Sequence, residues 1–312
     1  AAVAGAPVVE RALRRRGRDA DHKIQTSSKV NNPVRSTRDA PQRPSRGQGL
    51  EEADVDLTST SLVNPLTKMT DKGGLYAFPN AVSQGADYTV TPVKDVNPLN
   101  GVSTYDLVLI SKHILGLEPL SSPYKMIAAD ANKSGSITTF DIVELRKLIL
   151  GVYTELPNNT SWRFVDHAFV FPEPSNPFQT LFPENKSLAD VQANMLTENF
   201  VAVKVGDVNG SAVANSLMSN EDRSTGTLLF DMSERTVKAG ETFEVTFKAA
   251  ERVQGYQFTM NFDATAMEYV GIEGMSEQNI GLSMLREGVI TFSKESVKAG
   301  EAFRVMFKAK RP

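Results

Sequence analysis

The sequence predicts a mixed multidomain protein in which a small helical module of duplicated loop–helix units is flanked by β-sandwich segments. Three observations predict this fold class: the length of 312 residues, a duplication between residues 95 and 151, and apolar–polar alternation near the C-terminus. The expected segments are 1–54, basic; 55–92, part of a β-sandwich; 93–152, the helical module; 153–222, a β-rich connector; and 226–312, a second, incomplete sandwich.

The first fifty residues are distinguished by their charge. Residues 1–50 hold 11 Lys and Arg against 4 Asp and Glu, whereas the whole chain has a net charge of −3. One interpretation is an arm that binds nucleic acid. The segment has no aromatic residue and no apolar period. We therefore expect disordered or non-native sequence here, and no nucleic-acid partner.

Residues 55–92 have the features of β structure. Turn residues at 70–74 precede a predicted strand at 75–78, and a second strand is predicted at 88–91. The Gly-x-Tyr-x-Phe run that ends at Phe78 resembles a late strand of carboxypeptidase-regulatory-like β-sandwiches. Only the tail of such a domain fits the residues available.

The helical module is predicted from the duplication. The run that begins at Asp95 matches the run that begins at Asp130, and the match continues for 22 residues, to Gly116 and Gly151. Each copy passes from a polar loop into a helix with one apolar stripe. The stripes are Leu107, Ile110, Ile114 and Leu115 in the first copy, and Ile142, Leu145, Leu148 and Ile149 in the second. The two glycines are expected helix stops.

The second loop, residues 130–141, has the spacing of a twelve-residue calcium loop. Calcium takes six to eight oxygen ligands, and Gly135 at position 6 permits the sharp turn that such loops need. The expected ligands are the oxygen-bearing residues at positions 1, 3, 5, 7, 9 and 12, which are Asp130, Asn132, Ser134, Ser136, Thr138 and Asp141. An ordinary Asp-x-Asn turn would explain neither the repeated acid at position 12 nor the helix after each copy.

The first loop, residues 95–106, departs from this pattern at its centre. It keeps four expected ligands: Asp95, Asn97, Ser103 and Asp106. Position 5 is Leu99, which has no ligand atom in its side chain, and the glycine is displaced to Gly101. Asn100 tolerates a left-handed backbone, and water or its amide could replace the missing ligand. We therefore expect two calcium ions, bound with dissociation constants of roughly 10⁻⁵ to 10⁻³ M.

The chain after the helical module is predicted to be β-rich. Strands are expected at 162–165 and 200–205. Asp207 begins a run like a third calcium loop, but its position 12 is Met218, so a turn at a strand end is expected. Residues 226–312 alternate strongly, and 237–241 recurs as 297–301, which predicts two equivalent strands of one sandwich; two tandem domains are the alternative.

Residues 93–152 resemble a type I dockerin, in which a calcium loop and its helix are duplicated without a preceding helix. Residues 226–312 resemble a cohesin-type β-sandwich through Val237-x-Ala-Gly-x-x-Phe-x-Val and the run from Gly255 to Asp263. The order of modules is similar to that of large exported surface proteins of Bacteroidetes-type bacteria. The resemblance implies an extracellular or cell-surface location, and no apolar run is long enough to span a membrane.

The resemblance also implies a partner and the residues that meet it. In dockerins the partner contacts loop positions 10 and 11 and the next helical turn. The matching residues are Thr104, Tyr105, Ser111 and Lys112 in the first copy, and Thr139, Phe140, Arg146 and Lys147 in the second. The implied partner is a cohesin-like sandwich in cis or in trans, which allows self-association. In the alternative, Tyr105 and Phe140 pack inside the module, which is then an internal structural staple.

Catalytic motifs are lacking. The sequence has no Gly-x-Ser-x-Gly, no Walker A loop and no His-Glu-x-x-His, and the lack of Cys excludes thiol nucleophiles. We therefore expect a non-catalytic protein with a calcium-dependent adhesion, assembly or structural role. The alternative is the appendage region of a larger extracellular polysaccharide-degrading enzyme.

Overall fold

The computed structural model describes residues 49–79, 82–193, 195, 197–215, 237–249 and 252–310, and the backbone of 27–31. Within these residues the α-helices are α1 (Thr104–Ile114), α2 (Pro123–Ala129) and α3 (Thr139–Ile149). The strands are β1 (Ser27–Asn31), β2 (Asp54–Thr58), β3 (Leu66–Met69), β4 (Leu75–Ala77), β5 (Ala86–Val93), β6 (Trp162–Asp166), β7 (Lys186–Val191), β8 (Phe200–Lys204), β9 (Thr242–Lys248), β10 (Val253–Asn261), β11 (Met267–Glu273), β12 (Ile280–Gly281), β13 (Val289–Val297) and β14 (Ala302–Ala309).

Two four-stranded sheets form the first sandwich. Their strand orders are β4-β1-β8-β6 and β3-β2-β5-β7. Apolar side chains of both sheets meet in one core, with Leu57 and Tyr88 from one sheet and Trp162 and Phe200 from the other. The helices follow β5 and precede β6 in the chain, so the helical module is an insertion in this sandwich. The expected partial sandwich and the expected connector are therefore one structural unit.

Strand β1 departs from the expectation of a basic segment outside any packed domain. It pairs antiparallel with β4 and parallel with β8. Leu50 is fully buried in the sandwich core, and β2 begins at Asp54. The expectation for residues 1–26 and 32–48 falls outside the described residues.

Strand β8 joins the first sandwich to the helical module. Successive side chains of a strand point to opposite faces, and both faces of β8 are buried. Phe200 and Ala202 lie in the core of the sandwich, whereas Val201 and Val203 lie in the core of the helical module. The predicted strand at 200–205 is confirmed, and its continuous apolar character is explained by these two cores.

Three helices pack in the helical module, of which α2 was not predicted. The apolar stripes are confirmed in outline, since Leu107, Ile110 and Leu145 are fully buried. Leu115 is an exception and is 69% exposed. Both predicted stops are confirmed, because Gly116 and Gly151 have left-handed backbones with φ of 68° and 69°. In the part of the chain that is described, no helix has the length and apolar character to cross a membrane.

The second sandwich packs sheet β10-β13-β12 against sheet β11-β14-β9. Its core is rich in phenylalanine, with Phe247, Phe292 and Phe303 buried together. The two copies of the repeated run precede β9 and β14, which pair with each other antiparallel in one sheet. This confirms the prediction of two equivalent strands in one sandwich.

Candidate metal loops and docking face

Position 1 of the second loop is held by the amides of its own centre. Asp130 Oδ1 accepts a hydrogen bond from the Ser134 amide at 2.8 Å, and Oδ2 accepts one from the Gly135 amide at 3.0 Å. Asn132 Oδ1 also accepts from the Ser134 amide, at 3.0 Å. These bonds curl the loop so that the side chains of positions 1, 3 and 5 converge, as the spacing predicts.

Position 12 closes the same loop from the first turn of α3. Asp141 Oδ1 accepts from the Asn132 amide at 3.1 Å, and Oδ2 accepts from the amide and hydroxyl of Thr138 at 2.8 and 3.2 Å. The Ser134 hydroxyl donates to the Ser136 carbonyl at 3.2 Å. The six predicted ligand residues are thus linked by hydrogen bonds within one loop, and its last acid also caps α3.

The chemistry of the second loop fits a calcium ion. Asp130 and Asp141 are almost fully buried, and the other groups offer neutral oxygens. Burial, and to a smaller extent the charge of Asp141, raise the pKa of Asp130. A hard divalent cation would offset both the energetic cost of burying these two carboxylates and their mutual repulsion. Within the described residues, no three His, Asp or Glu side chains lie together in a way that could hold a metal ion. A calcium ion in the second loop would therefore have two carboxylates among its ligands and neutral oxygens for the rest.

The first loop has a different backbone. Its left-handed residues are Asn97 and Gly101, at positions 3 and 7, whereas those of the second loop are Lys133 and Gly135, at positions 4 and 6. The expectation of a left-handed Asn100 is wrong. The Asn100 side chain instead pairs with the backbone of Val213, accepting from its amide at 2.9 Å and donating to its carbonyl at 2.8 Å. It is therefore not free to replace the missing ligand.

The predicted partner residue Thr104 is buried against the second sandwich. Its amide donates to Gln257 Oε1 at 2.7 Å, and its hydroxyl lies 2.7 Å from that of Ser293. Thr104 is the first residue of α1, and the amides of a first helical turn have no partner within the helix. The Gln257 side chain of β10 therefore caps α1 from another domain.

The predicted partner residue Arg146 meets the same face. It forms an ion pair with Glu295 of β13, with side chains 12% and 17% exposed. The C-terminal end of α3 is capped there too, because Thr291 Oγ1 donates to the Leu150 carbonyl at 2.7 Å and Ser283 Oγ donates to the Gly151 carbonyl at 2.8 Å. The second sandwich thus bonds to a free backbone amide at the start of α1 and to free backbone carbonyls at the end of α3.

The contact on β12 depends on a glycine. A Cβ added at Gly281 would lie 2.2 Å from the Leu150 carbonyl oxygen and 2.3 Å from Thr291 Oγ1. Thr291, Ser293 and Glu295 alternate along β13, so they share one face of the sheet. We call this set, together with Gln257 and Gly281, the docking face. The docking face was not predicted from the sequence. The available signal was the alternation of Thr291, Ser293 and Glu295 along β13.

The two aromatic partner residues stay outside this contact. Tyr105 is 49% exposed and Phe140 is 72% exposed, so the alternative in which both rings pack inside the module is wrong. Thr139 is exposed and Ser111 is half-buried. Lys112 pairs with Glu118 at 2.9 Å, and Lys147 donates to the Tyr153 hydroxyl at 3.0 Å. The structure therefore places Thr104 and Arg146 against the docking face and leaves the two rings exposed.

Comparison with known proteins bears on the helical module. The family model of the type I dockerin domain matches residues 93–150. The chain therefore contains a dockerin domain, a class of protein–protein assembly module that typically binds calcium, pairs with cohesins and occurs in secreted proteins. No curated protein and no solved structure matches the chain.

Proposed function

We propose that this chain is a non-catalytic, calcium-dependent assembly region of an exported surface protein. In this proposal the dockerin domain is held in cis by a cohesin-like partner, the second sandwich. The chain contributes binding and rigidity rather than chemistry, and its location is extracellular or on the cell surface.

The observation that carries the proposal is the use of the docking face. Two residues at dockerin partner positions, Thr104 and Arg146, contact the second sandwich in the same chain. They come from the two halves of the duplication, so both halves take part. Cis contact through these positions supports a partner role for the second sandwich.

The second loop supports the calcium dependence. Its two buried carboxylates flank the start of α3, which places the proposed ion beside the helix that carries Arg146. An ion there would fix the first turn of α3 and, through it, the contact with Glu295. A loop with only two acids binds calcium weakly and needs the high calcium concentration found outside cells, which fits the proposed location.

A second candidate function follows from the dockerin domain itself, since dockerins often occur in extracellular enzymes. The chain would then be the appendage region of a polysaccharide-degrading enzyme with its catalytic domain elsewhere. A reading frame that encodes a glycoside hydrolase beside this region would favour this candidate.

The first test is hydrogen exchange at the Thr104 amide. An amide in the first turn of a free helix is normally unprotected, so protection of this one reports the Gln257 cap. Gly281→Ala should increase the exchange rate of the Thr104 amide at least tenfold, because the added methyl group separates the domains. NMR-detected exchange on the intact chain measures it.

A matched control is available in the same sandwich. Gly271→Ala also adds a methyl group to a strand glycine without a left-handed backbone, but its nearest contact is the flexible end of Met306 at 3.2 Å. It should leave the Thr104 rate unchanged. An unprotected Thr104 amide in the unmodified chain, or equal effects of the two variants, would refute the cis contact.

A further inference from the structure

The last acid of the first loop has no acceptor position left for a metal ion. Asp106 Oδ1 accepts from the amides of Val208 and Asn209 at 2.9 and 3.1 Å. Oδ2 accepts from the amide and hydroxyl of Ser103, both at 2.9 Å. A carboxylate offers about four lone-pair sites, so these bonds saturate it. Asp141 of the second loop accepts only three bonds, all within its own loop.

The first acid of the loop accepts a hydrogen bond from outside the loop. Asp95 Oδ1 accepts from the Ser161 amide at 2.7 Å. Asp130, by contrast, accepts amides of its own loop at positions 5 and 6. The amide at position 6 of the first loop, that of Asn100, instead donates to the Asn97 carbonyl at 3.0 Å, in keeping with the different left-handed positions of this loop.

The backbone carbonyl at position 7 of the first loop is bonded from outside the loop, whereas that of the second loop accepts from a residue of its own loop. The Gly101 carbonyl, at position 7, accepts from Ser211 Oγ at 2.9 Å. A Cβ at Gly101 would lie 2.5 Å from the Ala212 amide nitrogen, so the glycine permits close approach of residues 211–212. The Asp207 turn that sequence reasoning expected is present, since Oδ1 accepts from the Gly210 and Ser211 amides at 2.7 and 3.0 Å.

A positive charge lies beside the loop. Lys204 is 1% exposed, and its ammonium donates to the Pro98 carbonyl at 2.7 Å and to the Val205 carbonyl at 3.0 Å. The charges that act on it are those of Asp207, Asp106 and Asp95, in decreasing order. Burial lowers the pKa of Lys204 to about 8. The Lys204 ammonium therefore lies beside the first loop and is hydrogen-bonded to the carbonyl at position 4 of that loop.

We propose that the first loop is not a calcium site and is closed by residues 204–213 of the same chain, with the Lys204 ammonium as its cation. In this proposal the chain binds one calcium ion, in the second loop, instead of the two ions expected from the sequence. The dockerin domain is then joined to the first sandwich by a metal-independent contact, and calcium acts only on the half that carries α3. The inference is independent of whether the second loop binds calcium as proposed above.

Calcium titration of the intact chain tests the stoichiometry. Isothermal titration calorimetry should give one ion per chain, and Asp130→Ala with Asp141→Ala should abolish binding. Two ions in the unmodified chain, or one ion remaining in the double variant, would overturn the inference. A chain that binds none would reject the proposed calcium role of the second loop and still support the metal-free first loop.

A second measurement tests Lys204 directly. Lys204→Met keeps the apolar stem and removes the ammonium, so it should lower the melting temperature by the same amount in calcium and in chelator. The control Lys72→Met, at an exposed turn lysine, should lower it in neither. If calcium restored the melting temperature of Lys204→Met, the ion would be replacing the ammonium in the loop, and the inference would be wrong.

Discussion

The glycines in the two copies of the repeated run of the second sandwich form equivalent turns. Gly240 and Gly300 have left-handed backbones with φ of 83° and 78°. The Gly240 amide donates to the Ala309 carbonyl at 2.8 Å, and the Gly300 amide donates to the Ala249 carbonyl at 2.9 Å. Each turn thus holds the end of the strand that follows the other copy. The repeat has a structural cause that its sequence alone could not reveal.

This symmetry gives a residue-scale prediction. A Cβ at either glycine would meet no atom within 4 Å, so Ala substitution costs only the left-handed backbone. We expect Gly240→Ala and Gly300→Ala each to lower the opening free energy of β9 and β14 by about 1–2 kcal/mol. Native-state hydrogen exchange of these strands measures it.

A graded substitution provides the control for that measurement. Gly240→Asn should cost less than Gly240→Ala, because Asn tolerates the left-handed region better than Ala does. Equal losses for Asn and Ala, or a loss at only one of the two glycines, would contradict the symmetric role of the turns.

At the scale of elements, sequence patterning located part of the regular structure. The strands predicted at 75–78, 88–91, 162–165 and 200–205 are confirmed by β4, β5, β6 and β8, and both duplicated helices are present. Helix α2 was missed because its seven residues are too few to show a period. Its signals were local: Pro123 in the first turn and Ser122, which accepts from the Lys125 amide at 3.2 Å.

Pairing between distant elements could not be read from the sequence. Strand β5 pairs with β7, about a hundred residues later in the chain, so the described parts of 55–92 and 153–215 belong to one sandwich. Alternation shows that a strand has two faces but not what covers each face. The structure places the polar face of β13 against the helical module, a contact that alternation along the strand does not indicate.

The candidate site shows the same limit at the two loops. The hydrogen-bonded geometry of the second loop was predictable because its candidate ligands and its hydrogen bonds lie within twelve residues. The first loop was not, because Asp106 and Asn100 bond to residues 208–213, a hundred positions later. Leu99 at position 5 was the local signal that this copy differs.

At the scale of the whole molecule, the dockerin domain is held from two sides. Residues 204–213 of the first sandwich close its first loop, and the docking face of the second sandwich caps α1 and α3. A partner tethered to the same chain acts at an effective concentration of about millimolar. Cis pairing therefore competes with pairing between chains, and we expect the unmodified chain to be a monomer at tens of micromolar.

A charge exchange across the docking face tests whether the same face can also pair in trans. Arg146→Glu places two carboxylates across a largely buried contact, and Glu295→Arg places two guanidinium groups there. Each should weaken the cis contact by about 2–4 kcal/mol, because a buried charge loses its partner and meets a like charge.

When the two variants are mixed, each altered residue can pair with an opposite charge on the other chain. Sedimentation velocity should then show a complex in the equimolar mixture, absent from either variant alone. The chain that carries both substitutions restores the cis pair and should be a monomer. A mixture that stays monomeric would contradict pairing in trans and would leave the docking face as an internal structural contact.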